Sequence, residues 1–214
     1  MSWPAAVLFD LDGTLTDQRR GTRFSRAWSC FVSWAYYSKV RMPTILLELF
    51  ETVFLHFRPN FVDGTLQLIK SLKTNGVRIG IITDRTALQV AHFFRSNNEI
   101  NLAYFDFIHT RRGWLDFLIK FPIPHFTHAA MKNGGTLRPI LEFLKDKHQV
   151  SRERVFFLGD NLVDLQAARE AGLQEQFFAS TWGRLKPEEF RRQGVPDRQI
   201  LRSLDDLKQL FLED

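Results

Sequence analysis

The sequence predicts an α/β protein: a Rossmann-like, doubly wound parallel sheet with a small helical cap inserted after the first strand. Short apolar runs alternate with segments of helical periodicity, an order typical of a parallel sheet covered by helices. The runs are apolar at consecutive positions, as strands buried on both faces are. Residues 17–62 interrupt the alternation. We therefore expect an α/β core of residues 1–16 and 63–214 and a cap of residues 17–62.

Five short runs are the predicted strands. Glycines bound two of them: Gly76 precedes the second run and Gly159 closes the fourth. The predicted strands are Ala5–Asp10, Val77–Thr83, Tyr104–Ile108, Arg154–Leu158 and Gln176–Ser180.

Five segments with apolar residues at helical spacing are the predicted helices of the core. In the third, Thr136 is the expected N-cap and Pro139 is expected in the first turn. The predicted helices are Gly64–Asn75, Thr86–Ser96, Thr136–His148, Val163–Ala171 and Leu204–Leu212.

The predicted cap consists of two helices, about Thr22–Lys39 and Thr44–Phe57, which Met42 and Pro43 separate. Four arginines lie at its start: Arg19, Arg20, Arg23 and Arg26. They predict either a second anion site, in which Arg19 and Arg20 would bind substrate, or a solvated face with arginine stems on apolar surface.

Composition excludes several classes of protein. The chain has 214 residues, a net charge of +5 and a single cysteine, so neither a disulfide framework nor a cysteine-rich zinc site is expected. No basic region precedes the first apolar run, and no stretch is long enough to cross a membrane, so we expect a cytoplasmic protein without stable membrane insertion. The basic residues are dispersed, which disfavours nucleic-acid binding.

Carboxylates follow two of the predicted strands. Asp10 and Asp12 come at the end of the first strand, and Asp160 and Asp164 follow the fourth. The carboxyl ends of parallel strands meet at one edge of the sheet, where α/β proteins bind ligands. Four carboxylates there would repel one another without a cation, and all-oxygen ligands suit Mg²⁺. Thr83, at the end of the second strand, is expected at the same edge.

The combined pattern resembles the haloacid dehalogenase superfamily of hydrolases. VLFDLDGTLTD, IITDRT and FFLGDNLVDLQAAREAG are similar to three motifs of that superfamily, in the same order. The tail that begins STWGRLKPEEF resembles the end of phosphoglycolate phosphatase-like members. The resemblance covers residues 4–16, 63–110 and 132–214.

The resemblance implies a role for each of these residues. Asp10 would be the nucleophile that forms an aspartyl-phosphate, and Asp12 the general acid and base. Asp160 and Asp164 would hold Mg²⁺ together with Asp10 and the backbone carbonyl of Asp12. Thr83 would bind a phosphate oxygen, and Asp84, which follows it, is included among the substrate-binding residues.

A lysine is expected beside the nucleophile and the phosphate, and two candidates compete. Lys120 precedes Phe-Pro-Ile-Pro, which is similar to a motif of relatives with one residue inserted. Lys132 precedes Asn-Gly-Gly and lies 28 residues before Asp160 (160 − 132). Relatives place the lysine just before the helix that leads to the fourth strand. We therefore predict Lys132.

Residues 113–126 are rich in aromatic side chains, which predict a lid, a contact between two copies of the chain, a membrane-surface contact or burial against the core. Nearby His109, His125 and His128 show no metal-ligand spacing, and we expect them at the surface or hydrogen-bonded.

The sequence therefore predicts a Mg²⁺-dependent phosphatase acting on a small phosphorylated metabolite. The alternatives are a phosphotransferase or phosphomutase of the same superfamily, and a non-catalytic binding protein with the same fold.

Overall fold

The computed structural model of the chain describes residues 3–16, 60–97, 99–113, 116, 119–128 and 132–212. Residues 17–59, which include most of the predicted cap and its arginines, lie outside these ranges. The described strands are β1 (Ala6–Phe9), β2 (Arg78–Thr86), β3 (Phe107–Arg111), β4 (His125–His128), β5 (Val155–Gly159), β6 (Phe177–Ser180) and β7 (Ile200–Leu201). The described helices are α1 (Thr65–Thr74), α2 (Ala87–Ser96), α3 (Gly134–His148), α4 (Leu162–Glu170), α5 (Pro187–Arg192) and α6 (Leu204–Leu212).

Within the described ranges the strands form a single sheet in the order β4-β3-β2-β1-β5-β6-β7, and all neighbouring strands are parallel. The predicted doubly wound α/β core is therefore confirmed. The direction of winding reverses at β1, which lies between β2 and β5. Phe9 is paired with Ile81 on one side and with Leu158 on the other, so β1 ends beside the end of β5, whereas β2 continues to Thr86. Such a reversal leaves a crevice at the carboxyl ends of the strands.

The sheet is covered on both faces. In β1, Val7 and Phe9 belong to one buried cluster, whereas Ala6 and Leu8 belong to another. Helices α1, α2 and α6 contribute apolar residues to the first cluster, and α3, α4 and α5 to the second. Consecutive strand residues face opposite sides, so a strand covered on both faces must be apolar throughout.

Three predicted elements have wrong boundaries. Strand β2 ends at Thr86 and not at Thr83. Residues Leu102–Tyr104 form a short 3₁₀ turn, because the Asn101 side chain accepts a hydrogen bond from the backbone N–H of Ala103, and the strand begins only at Phe107. Helix α3 begins at Gly134 rather than after Thr136. Its N-cap is Asn133, and Thr136 is the third helical residue of a reciprocal capping box. Pro139 consequently lies inside the helix and not in its first turn.

Three short elements had no predicted counterpart: β4, β7 and α5. Strand β4 matters most for the site, because it extends the sheet beside β3 at the end of the aromatic segment of residues 113–126. Among the described helices, none combines the length and the apolar character that a membrane span requires.

Candidate active site

Asp10 lies at the centre of the crevice. Its backbone N–H donates to the carbonyl oxygen of Leu158 (2.9 Å), which continues the pairing of β1 with β5 beyond the end of the strand. Its side chain is buried. Burial, together with the charges of Asp164, Asp160 and Asp12, raises the pKa of Asp10 well above its ordinary value, although the nearby Lys132 ammonium opposes the shift.

Asp160 and Asp164 follow β5 and are completely buried. Asn161 caps α4: its side chain accepts hydrogen bonds from the backbone N–H groups of Val163 (2.8 Å) and Asp164 (3.1 Å). In return, Oδ2 of Asp164 accepts from the backbone N–H groups of Asp160 (3.1 Å) and Asn161 (3.3 Å). This capping box fixes the Asp164 carboxylate at the start of the helix, and the Asp160 carboxylate accepts from the backbone N–H of Arg184 (2.9 Å).

One carboxylate oxygen from each of Asp10, Asp160 and Asp164 lies within 4.8 Å of the other two. Burial and the charge of Asp164 raise the pKa of Asp160 to about 7, although Arg184 and Lys132 oppose the shift, so the Asp160 and Asp164 carboxylates repel each other. A divalent cation would relieve that repulsion, and three buried carboxylates form the hard oxygen donor set that Mg²⁺ prefers. These residues fit the predicted metal site.

Lys132 reaches this cluster. Its Nζ atom lies 2.5 Å from Oδ1 of Asp10 and 2.5 Å from Oδ1 of Asp164, and its side chain is buried. Burial disfavours the ammonium, but the two carboxylates outweigh that effect and raise the pKa of Lys132 well above its ordinary value. The competing candidate, Lys120, is exposed and lies with Phe94, Arg95 and Phe121 around a different cavity.

Thr83 and Asp84 belong to β2 beside Asp10. The Thr83 hydroxyl oxygen accepts from the backbone N–H of Arg85 (3.2 Å). Oδ1 of Asp84 accepts from the backbone N–H of Lys132 (2.9 Å) and faces Nε2 of His128 (3.1 Å). Burial favours the protonated form of Asp84, but the His128 bond and the Lys132 charge prevail, so the pKa of Asp84 is lowered.

Asp12 has a partner that the sequence analysis missed. Arg85 donates from Nε to Oδ2 of Asp12 (2.7 Å), and its Nη2 forms an ion pair with Oδ1, so the contact is bidentate. The guanidinium also lies over the Phe93 ring, 4.8 Å from its centroid. The only sequence signal was that Arg85 follows Thr83 and Asp84 at the end of a predicted strand.

Two glycines allow the backbone to approach Asp160. Gly13 has φ +86°, and a Cβ atom there would lie 2.0 Å from Oδ2 of Asp160. A Cβ atom at Gly183 would lie 2.4 Å from the same oxygen. The indole N–H of Trp182 donates to the carbonyl oxygen of Thr14 (2.8 Å), which ties the Trp-Gly pair of the tail to the loop after β1.

His125 and His128 are hydrogen-bonded, as predicted, whereas His109 differs from the prediction. His109 is buried, and neither of its ring nitrogens makes a hydrogen bond of good geometry, although the Thr127 backbone favours its charged form. Burial and the neighbouring His128 and His125 lower the pKa of His109 to about 3. The His128 side chain is also buried, with Nε2 directed at Asp84 and Nδ1 unpartnered. His125 lies 2.8 Å from the Thr110 hydroxyl.

Part of the aromatic segment packs on the core of its own chain. Phe121 and Ile123 are partly buried against the first cluster, and Phe126 is partly buried against the second. Trp114 and Phe117 lie outside the described residues, as do Arg19 and Arg20 of the predicted cap.

The sequence and the fold were compared with known proteins. The sequence model of the haloacid dehalogenase-like hydrolase family matches residues 32–177. A comparison with curated proteins finds no match to the sequence.

Several solved structures resemble the fold over nearly the whole chain. A predicted phosphatase from Clostridium acetobutylicum has a TM-score of 0.71 and 21% identity, with 100% of both chains covered. A candidate phosphoglycolate phosphatase from Lactobacillus delbrueckii subsp. bulgaricus has a TM-score of 0.64 and 17% identity, also with 100% of both chains covered. CbbY from Rhodobacter sphaeroides, in complex with xylulose-(1,5)bisphosphate, has a TM-score of 0.62 and 19% identity, with 94% of each chain covered. At this identity the likeness shows the fold.

The family match extends over well more than half of the sequence, and the parallel α/β fold agrees with it. The resemblance stated from the sequence motifs is therefore confirmed: the chain belongs to the haloacid dehalogenase-like hydrolase family.

Proposed function

We propose that this chain is a Mg²⁺-dependent phosphatase that hydrolyses a small phosphorylated metabolite through an aspartyl-phosphate on Asp10. The observation that supports the proposal best is the arrangement around Asp10. This buried carboxylate has the Lys132 ammonium 2.5 Å away, and Asp160 and Asp164 can offer oxygens to the same metal ion as Asp10. With a divalent cation bound beside Lys132, such a site would place positive charge where a phosphoryl group would gain negative charge.

Asp10 would supply the nucleophilic oxygen. Its carboxylate oxygen would bond to phosphorus as the bond to the leaving oxygen breaks, and water would then attack the acyl phosphate to release inorganic phosphate. Lys132 would neutralise charge on Asp10 and on the transferred group. The Thr83 hydroxyl accepts a hydrogen bond from the Arg85 backbone and would donate its own proton to a phosphate oxygen, beside Asp84.

Asp12 would act as general acid in the first step and as general base in the second. As acid it would protonate the leaving alkoxide, and as base it would take a proton from the attacking water. The bidentate contact with Arg85 holds the Asp12 carboxylate at the edge of the crevice.

Asp10, Asp160, Asp164 and the backbone carbonyl of Asp12 would hold Mg²⁺. When bound, the ion supplies positive charge that offsets the carboxylates and the phosphoryl oxygens. The chain itself supplies the fixed geometry, because the capping box at Asn161 and the close approach of Gly13 and Gly183 orient the acidic side chains.

The substrate class rests on the site and on the comparisons. The Rhodobacter protein is described with a phosphorylated sugar bound and the Lactobacillus protein as a phosphoglycolate phosphatase. Arg19 and Arg20 are proposed to bind a second anionic group of the substrate. A cytoplasmic location and a contact between two copies of the chain through residues 113–126 stay as proposals from the sequence.

The experiment is Mg²⁺-dependent phosphate release from a panel of phosphorylated metabolites and from p-nitrophenyl phosphate. Asp10→Asn should reduce the rate by at least about 10³-fold, equivalent to about 4 kcal/mol of transition-state stabilisation. Asp106→Asn is the matched control, since Asp106 pairs with Lys73 and Arg78 away from the crevice. Retention of more than a tenth of the rate in Asp10→Asn would reject the mechanism.

A companion variant tests the second carboxylate. Asp12→Asn should impair alkyl phosphates more than p-nitrophenyl phosphate, because p-nitrophenolate leaves without a proton. Equal impairment of both substrates would remove Asp12 from the acid role. Transfer of the phosphoryl group to an added alcohol or sugar, with no release of phosphate, would favour a phosphotransferase instead.

A further inference from the structure

We propose that His128 is a positioning residue that, through the Asp84 carboxylate, holds Lys132 against the nucleophile. This inference rests on the proposed function, because Lys132 is assigned there to the phosphate site. His128 lies on β4, an element that the sequence did not predict, and it does not contact the reacting groups itself.

A single oxygen connects the two residues. Oδ1 of Asp84 accepts a hydrogen bond from Nε2 of His128 (3.1 Å) and another from the backbone N–H of Lys132 (2.9 Å). His128 ends β4, and Lys132 immediately precedes the N-cap of α3. Asp84 therefore ties the end of the strand to the start of the helix, at the point from which the Lys132 side chain reaches Asp10.

The backbone under Asp84 is also fixed. The Nε atom of Arg111, on β3, donates to the carbonyl oxygen of Asp84 (3.0 Å). The lowered pKa of Asp84 keeps its carboxylate ionised at neutral pH, which suits an acceptor of two hydrogen bonds. The carboxylate thus has a defined position from which to orient both donors.

His109 restrains the other side of the His128 ring. The two ring centroids lie 4.8 Å apart at 65°, an edge-to-face contact. His109 is uncharged at neutral pH, as its pKa of about 3 requires, so it does not repel its neighbour. With Asp84 on one side and His109 on the other, the His128 ring cannot rotate without losing one contact.

The consequence concerns Lys132. Its ammonium is buried between Asp10 and Asp164, and a small displacement of its backbone would lengthen both 2.5 Å contacts. Residues that orient the groups of a catalytic site commonly change activity by about 10-fold or more when they are removed. His128 is therefore expected to affect turnover although it does not touch the substrate.

The test compares His128→Leu with His128→Gln, because the glutamine amide can replace the Nε2 donor. With p-nitrophenyl phosphate and saturating Mg²⁺, His128→Leu should lower kcat by about 10-fold, and His128→Gln should stay within about threefold of the wild type. His125→Leu is the matched control, since that histidine lies on the same strand and contacts Thr110 instead. It should keep the wild-type kcat.

A coupled readout separates positioning from a merely structural role. In a Lys132→Ala background, His128→Leu should cause no further loss, because the residue that it positions is gone. If His128→Leu lowers kcat in the Lys132→Ala background by the same factor as in the wild type, the proposal is overturned. A His128→Leu protein with wild-type kcat, or a His128→Gln protein as impaired as His128→Leu, would overturn it as well.

Binding of inorganic phosphate, measured by calorimetry in the presence of Mg²⁺, keeps the test independent of turnover. His128→Leu should weaken phosphate binding about as much as it lowers kcat, and His128→Gln should not. A wild-type protein that binds phosphate but hydrolyses no phosphomonoester would reject the proposed function alone. Unchanged phosphate binding in His128→Leu would reject the positioning role.

Discussion

The Lys132 ammonium lies 2.5 Å from Oδ1 of Asp10, although 122 positions separate the two residues in the sequence. The contact exists because β1 ends in the middle of the sheet and because α3 begins beside the same edge. It is the feature of the site on which the proposed phosphoryl chemistry most depends, since it places a buried cation beside the buried carboxylate that we propose as the nucleophile.

Lys132→Ala should lower turnover by about 100-fold or more, because a cation beside a doubly charged phosphate in a shielded site contributes several kcal/mol. Steady-state kinetics with p-nitrophenyl phosphate measure this loss of turnover. Lys120→Ala is the control, since Lys120 is exposed at a separate cavity, and it should be nearly neutral. A larger loss in Lys120→Ala than in Lys132→Ala would transfer the role to Lys120.

Mg²⁺ should raise the thermal midpoint of the protein, because a ligand that binds only the folded state stabilises it by about 2.7 kcal/mol at 100 times its Kd. The effect should be larger at pH 8 than at pH 6. Burial and the charge of Asp164 raise the pKa of Asp160 to about 7, so at pH 6 the ion must displace a proton. Calorimetric scans with and without Mg²⁺ measure both effects.

Asp160→Asn should abolish most of this Mg²⁺-induced shift, whereas Asp106→Asn should retain it. A shift of equal size in Asp160→Asn and the wild type would contradict the assignment of the three carboxylates as the metal site.

Gly13→Ala should disrupt the metal site in addition to straining the backbone. Gly13 and Gly194 both have positive φ, +86° and +77°, so alanine costs about 1 kcal/mol at either position. A Cβ at Gly194 meets nothing within 4 Å, whereas one at Gly13 would lie 2.0 Å from Oδ2 of Asp160. Only Gly13→Ala should therefore lose the Mg²⁺-induced stabilisation, as measured by the thermal midpoint. Equal losses in both variants would contradict this reasoning.

His109→Leu should stabilise the protein at pH 7 by about 1 kcal/mol, because a buried imidazole without hydrogen bonds of good geometry is replaced by an apolar side chain. The advantage should grow as the pH falls. The folded-state pKa of His109 is about 3 and its ordinary value is 6.5, so below pH 6.5 only the unfolded chain takes up the proton. The wild type should then lose about 1.4 kcal/mol per pH unit relative to the variant.

Urea unfolding of both proteins between pH 7 and pH 5 measures this difference. Free energies of unfolding that run parallel over that range would show that His109 is not a buried neutral histidine.

The main features of the core could be predicted because each depends on a local pattern. Asp10 and Asp160 follow runs that are apolar on both faces, and parallel strands bring such ends together. The choice of Lys132 came instead from the resemblance to the family, whose members place the lysine just before the helix that leads to the fourth strand. Thr136 was misplaced as the N-cap because the Asn133-Gly134-Gly135 sequence resembles a flexible loop, whereas Asn133 is itself the cap.

Other features could not be predicted from the chain alone. Strand β4 has the sequence His-Phe-Thr-His, which lacks the apolar character of a buried strand, and its pairing with β3 depends on contacts distant in sequence. The same holds for the bond between His128 and Asp84, which joins positions 44 residues apart. The contact of Arg85 with Asp12 joins positions 73 residues apart. Polar pairings of this kind are fixed only once the sheet is assembled.

The measurement that most directly tests the central claim is identification of the phosphorylated residue. The protein is mixed with p-nitrophenyl phosphate and Mg²⁺, quenched during turnover, and treated with borohydride, which reduces an acyl phosphate to the alcohol. The account predicts homoserine in place of aspartate at position 10 in the peptide map, and no such product in Asp10→Asn. Rapid turnover with unmodified Asp10, or reduction at another carboxylate, would contradict the account.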